Sequence, residues 1–453
     1  MTRCPSKQRK RRARRRATSF VQCVRQFLTP EVFKQAHRAR QSKRRSPRWP
    51  VQPLLFVLLT MTWTVGDSTS ERFETARAFY VACHPSRKRP GQTLGGFQAA
   101  LSKMPVRVLR TVAEAIRQQL LEQLLERLIT GGWLVFGCDG SRVECPRAAE
   151  LEQKLGQAGK DQAAPTMWVT ALVHLRSGLL WAWRTGKGTA SEQAHLLKLL
   201  CSLPPGSLIV ADAAYRGYQL GLEILAAKAS FLVRVSSKVW LYTETHQPLE
   251  NFQEGVVYYW PLDRQKAEEP PLRLRLIRVR SPKCKHDVWL LTDVLSSQRL
   301  SVAMAGRFYR WRWENEGLFR TYKQTLKKVK LVSRTVRLAH RELEGSLLAV
   351  QLMLAQAALK LHPCTSVWEE ATMASPRQVL LEIRRDIRDA APPRRPAYTN
   401  RLAKATRERR QRTSQKAVRD WPRRKPHSPP GPPQLHTLTD TQKALCDKLL
   451  PAA

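Results

Sequence analysis

"GGWLVFGCDG", residues Gly131–Gly140, is a glycine pair, a short apolar run and then an acid. An apolar run this short, bounded by glycines, reads as a buried strand that ends at Asp139. Working outward, "TMWVTALVHLRSGLLWAWRTG" (Thr166–Gly186) holds two β-rich runs around Arg176-Ser177-Gly178, the pattern of a hairpin. "SEQAHLLKLLCSL" (Ser191–Leu203) reads as a helix capped by Ser191. "GSLIVADAAYRGYQL" (Gly206–Leu220) is a second buried strand, ending at Asp212, followed by a helix over Tyr218–Ala229 and a strand over Phe231–Val235. Each acid, taken alone, is also what a turn requires.

The chain has 453 residues, and its 79 Lys and Arg against 36 Asp and Glu leave a net charge of +43. That balance attracts polyanions, nucleic acid foremost. A hydrophobic content of 42% is enough for a real core, which distinguishes the chain from small basic nucleoproteins. Nine cysteines without a C-x-x-C pair or Cys/His cluster imply reduced thiols in an intracellular protein rather than a zinc site. The longest apolar run, "VQPLLFVLLTMTWTV" (Val51–Val65), falls short of a bilayer span and reads as a buried helix. No membrane association is expected.

The order strand, hairpin, helix, strand, helix, strand is that of a ribonuclease-H-like α/β core, with acids where the first and fourth strands end. Strand-end carboxylates on such a sheet lie where active sites form. Before this core, residues 1–130 form a basic, helical N-terminal region expected to bind DNA. Residues 1–50 alone carry 17 Lys and Arg against one acid, Glu31. Within it, "KQRKRRARRR" (Lys7–Arg16) reads as a solvated charge block, and Ser19–Ala39, Ser70–Ala82 and Thr111–Ile129 read as helices. The core divides into 131–235 and a helical last part, 298–362, around a β-rich insertion, 236–297. Residues 363–453 form a basic tail with "APPRRPAY" and "WPRRKPHSPPGPPQ", too rich in proline for a packed core, and weak order is expected after about Pro392.

The last part of the core holds "YRWRWENEGLFRTYK" (Tyr309–Lys323). On an ideal helix Tyr309, Arg312, Glu316 and Lys323 fall within about 60° of one another, and Arg320 and Lys327 share the stripe. Phe308, Trp311, Leu318, Phe319, Tyr322, Leu326 and Val329 form an apolar stripe roughly 120° away. Glu316 is then the single acid among cations, while Glu314 faces elsewhere. Simple i,i+4 pairing of Glu316 with Arg312 and Arg320 accounts for that helix taken alone. It leaves Asp139 and Asp212 unexplained.

Tyr309-x2-Arg312-x3-Glu316-x6-Lys323 resembles the Tyr-x2-Arg-x3-Glu-x6-Lys signature of DDE transposases of the bacterial IS-four type of insertion sequence. Asp139-Gly140-Ser141 and "ADAAYRGY" around Asp212 are similar to the contexts of that family's first two acids. The resemblance covers roughly 130–350. It implies that Asp139, Asp212 and Glu316 are catalytic and hold two Mg²⁺ ions, for which Mn²⁺ can substitute. Such a pair clamps the attacking and leaving oxygens of an in-line displacement. It also implies cleavage at transposon ends, transfer of the 3′-OH into target DNA, a homodimer in the synaptic complex and a cytoplasmic, nucleoid-associated location. Tyr309, Arg312, Lys323, Arg320 and Lys327 would contact double-stranded DNA, both the terminal inverted repeats and the target. Trp289, in "HDVWLLTDV", matches a Trp that stacks on a flipped base in relatives with a hairpin intermediate; a core Trp on a strand is the other reading. Two alternatives stay open: a two-metal nuclease that cuts without joining, and a non-catalytic basic nucleic-acid-binding protein on the same scaffold.

Overall fold

The computed structural model describes residues 20–40, 48–85, 87–156, 163–280, 287–361, 374–388, 398–405 and 431–450. The basic block Lys7–Arg16 and most of the two proline-rich stretches lie outside these. The chain divides into two compact units. The first comprises Met1–Leu128, Gly140–Ala190 and Asn315–Glu408; the second comprises Ile129–Asp139, Ser191–Glu314 and Arg409–Ala453.

The first unit is helix-rich. Residues 20–27 are helical, and the helix expected over Ser19–Ala39 is broken before Pro30. There α1 (Pro30–Arg40) begins, with proline at the one helical position where its missing N–H costs nothing. Then come α2 (Val51–Trp63), α3 (Thr69–Cys83), α4 (Leu94–Lys103) and α5 (Val106–Leu128). The apolar run expected to be a buried helix is α2: Leu54, Leu55, Val57 and Leu59 are inaccessible or nearly so. Burying each such side chain contributes ~1.5–3 kcal/mol. Helix α2 packs against a long helix from the end of the domain, α12 (Val336–Ala358), whose residues from Leu343 to Ala357 are all buried. Gly345 permits the approach, since a Cβ there would come within 2.6 Å of the Leu58 side chain. Among the described residues no helix is long and apolar enough to cross a membrane.

The same unit holds α6 (Ala149–Leu155) and the expected hairpin, β3 (Thr166–His174) and β4 (Leu179–Lys187). Its turn uses positive φ at Arg176 and Gly178. His174 is buried at the end of β3, with Nε2 2.9 Å from the Leu128 carbonyl and Nδ1 2.7 Å from Ser177 Oγ. Burial lowers its pKa from 6.5 to about 4. The folded state thus binds this proton more weakly than the unfolded chain. Its contribution is complete above the unfolded pKa and is lost as pH falls toward the folded one. The loss between about pH 7 and about pH 5 is on the order of 2 kcal/mol. Urea unfolding at the two pH values should show it, and His174→Gln should flatten the dependence; an unchanged slope would count against the buried neutral ring.

The second unit is built on a mixed sheet. A short β1 (Ile129–Thr130) pairs with the start of β2 (Trp133–Glu144), and β2 runs parallel to β5 (Ser207–Ala211), which runs parallel to β6 (Ser230–Arg234). Between them lie α7 (Glu192–Leu197), capped by Ser191 as expected, and α8 (Tyr218–Ala226). The β-rich segment supplies β7 (Trp240–Thr243), β8 (Glu254–Tyr259) and, after the short α9 (Leu262–Lys266), β9 (Leu272–Val279) and β10 (Val288–Thr292). These strands do not stand apart. β10 pairs with β6, so the sheet continues through β10, β9, β8 and β7.

Weak order after Pro392 is corrected at two places. After α13 (Pro376–Arg388), Tyr398 and Leu402 on α14 (Tyr398–Leu402) are buried, and Tyr398 packs edge-on against Phe20 at 5.2 Å. Residues Gln434–Thr437 form β11, parallel to β7, and α15 (Asp440–Leu449) brings Cys446 against Tyr242, Tyr258 and Trp260. Proline and charge counts averaged over the tail hide these short apolar patterns.

Candidate active site

Strands β2 and β5 are in parallel register, with Gly137 opposite Val210 as their last pair. Asp139 and Asp212 each lie two residues farther on, so the register carries both acids just past the paired segment of these adjacent strands of the second unit. They leave the sheet differently. β5 stops at Ala211, and Asp212 caps the next turn, its Oδ1 accepting from the Ala214 N–H at 2.8 Å. β2 does not end at Asp139 as expected; it runs on to Glu144. Its last residues are held by the chain near 330: the Glu144 N–H donates to the Val329 carbonyl at 3.2 Å and the Leu331 N–H to the Glu144 carbonyl at 2.8 Å.

Behind the two acids is a buried cluster that the strand pattern does not reveal. Burial pushes the Cys138 thiol far above its usual range, and the carboxylates of Asp139, Glu192 and Asp212 push it the same way. Burial likewise raises Tyr215, whose hydroxyl faces Cys138 and Glu192. Tyr215 is the third residue after Asp212, and Glu192 opens α7. Gln193 fixes that helix end to the turn, its Nε2 donating to the carbonyls of Ala214 at 2.7 Å and Arg216 at 3.0 Å. Tyr215 fills the position the "ADAAYRGY" pattern offers; Glu192 had no signal beyond its place beside a cap.

The signature segment is not one straight helix, which corrects the ideal-wheel geometry. α10 (Val302–Trp311) ends, Arg312 and Trp313 form a turn, α11 (Glu314–Arg320) follows, and Thr321–Thr325 is a π turn. Lys327, past the helix, has φ 54°. In the second unit Tyr309 is buried, and the Arg312 guanidinium lies 5.5 Å from its ring centroid and 5.0 Å from that of Trp313. Trp313 is itself largely exposed, which leaves the guanidinium half-buried between two rings. In the first unit Glu316, Arg320 and Lys327 are exposed, and the apolar stripe is buried at Leu318, Phe319, Tyr322 and Leu326 but not at Val329. Lys323 is half-buried; its Nζ donates to Ser141 Oγ at 2.8 Å, and burial lowers its pKa. That bond ties the signature lysine to the Asp-Gly-Ser turn of β2, a pairing 182 residues apart that local patterns do not encode.

Trp289 lies in β10, 5% exposed, with the Arg278 guanidinium 5.2 Å from its ring centroid and Phe252 at 6.1 Å. Those are the surroundings of a core tryptophan.

Oxygen-only donors such as Asp139 and Asp212 suit a hard cation of the Mg²⁺ kind. Among the described residues no group of three or more His, Cys, Asp or Glu side chains is gathered closely enough to hold a metal ion. Asp139 and Asp212 are the acids that the strand register of the second unit brings together, and Glu316 occupies an exposed position of α11 in the first. The described cysteines, Cys23, Cys83, Cys138, Cys145, Cys201 and Cys446, are free thiols.

Comparison with known families matches residues 134–352 to the transposase DDE domain. That span runs from the start of β2 into α12 and contains all three acids. Comparison with curated proteins finds no match. Among solved structures the chain is similar to a piggyBac transposase in a synaptic complex with hairpin DNA, at 12% identity and a TM-score of 0.42 over 88% of each chain. Residues 134–352 match the transposase DDE domain, so the chain carries the domain of a DDE transposase enzyme.

Proposed function

We propose that the enzyme cuts DNA at the ends of a transposable element and joins the freed 3′-OH to target DNA, as an insertion-sequence transposase of the IS-four type. The observation that carries this reading is the parallel register that sets Asp139 beside Asp212 within a transposase DDE domain. The complete Tyr309, Arg312, Glu316, Lys323 signature supports the finer assignment. We read the strands around β2, β5 and β6 as a ribonuclease-H-like core, 236–297 as its β-rich insertion, and the basic residues 1–130 as a DNA-binding region.

In this reading Asp139, Asp212 and Glu316 would hold two divalent cations, Mg²⁺ or Mn²⁺. Bound there, such ions polarise the scissile phosphate and lower the pKa of an attacking water. The chain's own residues do the rest. Arg312, stacked between Tyr309 and Trp313, presents a planar fork suited to a phosphate. Lys323 is steered by Ser141, and because burial disfavours its charge it gains most from an anionic partner. Arg320 and Lys327 add exposed charge for the duplex. The partners are terminal inverted repeats and target DNA, with two copies of the chain in the synaptic complex, in a nucleoid-associated setting.

The test is incubation of the protein with a duplex carrying the element's end, a target plasmid and Mg²⁺. The expected products are a nick exposing a 3′-OH, then a joined species, both abolished by chelation. Cutting without joining would favour a nuclease of the same fold. No metal-dependent cutting would overturn the assignment.

A further inference from the structure

Asn315 is fully buried, and both polar atoms of its side chain, Oδ1 and Nδ2, lack a hydrogen-bond partner among the described residues. An amide in that state costs the folded protein the desolvation of a donor and an acceptor. In the same unit two carboxylates find several partners each, while single atoms of other side chains, such as Gln351 Oε1, have none. Glu342 accepts from Lys328 Nζ and from the N–H groups of Val332 and Ser333, and Glu344 accepts from Arg110, Trp183 and Thr185. Among the described residues Asn315 is the buried side chain with two unpaired polar atoms, and it stands immediately before Glu316.

Its helix is irregular at both ends. α11 is preceded by the turn at Arg312 and Trp313 and followed by the π turn Thr321–Thr325. Thr321 Oγ1 also donates back to the Gly317 carbonyl at 2.9 Å. π turns and such back-bonds bend helices and recur at functional sites. The seven-residue helix is thus bounded by an irregular step on each side.

We propose that Asn315 is a positioning residue for Glu316. Its amide stays unpaired in the free protein and gains its hydrogen bonds when α11 turns into its working setting on the engaged DNA end. A ligand shifts a conformation only by interacting differently with its two states. An amide unpaired in one and paired in the other supplies such a difference. The inference rests on the reading of Glu316 as the third acid.

Leucine matches asparagine in length and carries neither polar atom. Asn315→Leu should leave the thermal stability of the DNA-free protein unchanged or raised. It should bind end DNA within about twofold of wild type, yet cleave at least about tenfold more slowly at saturating DNA. A wild-type cleavage rate would overturn the inference. So would slower cleavage accompanied by lower stability and weaker binding, the signature of a packing residue. If the leucine variant does not fold, Asn315→Ala, which cannot overpack, is judged by its rate and binding alone. Glu316→Gln is measured alongside. If that variant cuts normally, the functional reading itself fails; if it is inactive while Asn315→Leu cuts normally, only the present inference fails.

Discussion

Asp139→Asn and Asp212→Asn should each slow cleavage of end DNA by at least about a thousandfold, equivalent to about 4 kcal/mol of transition-state stabilisation. Asparagine keeps the shape and one oxygen of aspartate but removes the charge that a hard cation requires. The strand register that carries both residues just past the paired segment of β2 and β5 does not depend on that charge. Folding should therefore survive. Binding of the end duplex should stay within about twofold, since each variant removes one negative charge from a protein whose net charge is +43. Gel-resolved cleavage under single turnover, with binding measured separately, distinguishes lost chemistry from lost affinity. A folded variant that cuts at the wild-type rate would remove its aspartate from the site.

Glu344→Ala should destabilise the protein by about 3–5 kcal/mol. The Glu344 carboxylate is inaccessible, on the buried face of α12, and accepts from Trp183 Nε1 at 2.7 Å, Thr185 Oγ1 at 2.8 Å and Arg110 at 2.9 Å. It thereby joins α12 to β4 and α5. Alanine leaves a cavity and strands an indole N–H, a hydroxyl and a guanidinium. Breaking a buried pair from one side costs more than the pair contributes, because the remaining charge stays desolvated. Part of the Arg110 side chain reaches solvent, which limits the cost from that partner. Glu344→Gln keeps the shape but turns an amide N–H₂ toward donors, so it should cost less than alanine and more than an exposed substitution. Urea midpoints measure both. An alanine variant within about 1 kcal/mol of wild type would mean that water replaces the carboxylate at little cost.

Legibility in the sequence follows how local each feature is. The run Val51–Val65 has the length and polarity of a buried helix, and it is one. The hairpin at Arg176–Gly178 and the Ser191 cap were legible because turn and cap chemistry sit within a few residues. Asp212 could be placed at a strand end because the apolar run stops there; at Asp139 the apolar run stops but the strand does not. The continuation of β2 to Glu144 could not be read, since Ser141–Glu144 is mostly polar and Glu144 is held by Val329 and Leu331, far along the chain. The break at Arg312 and Trp313 was hidden for a related reason: every residue there has acceptable helix propensity, and tertiary packing sets the break. Lys323 with Ser141, and Tyr215 with Cys138 and Glu192, are likewise products of the fold. Composition misled only at the C-terminus, where β11 finds its partner in β7 and α15 its core in Tyr242, Tyr258 and Trp260.

The central claim is that Asp139 and Asp212, with Glu316, perform metal-dependent strand cleavage. Its most direct test is the single-turnover rate at which wild-type protein and the Asp139→Asn variant nick a duplex carrying the element's end, at saturating Mg²⁺ and equal end occupancy. Nicking that requires the metal in the wild type and is absent in the variant is the predicted result; equal rates, or wild-type nicking that survives chelation, would contradict it.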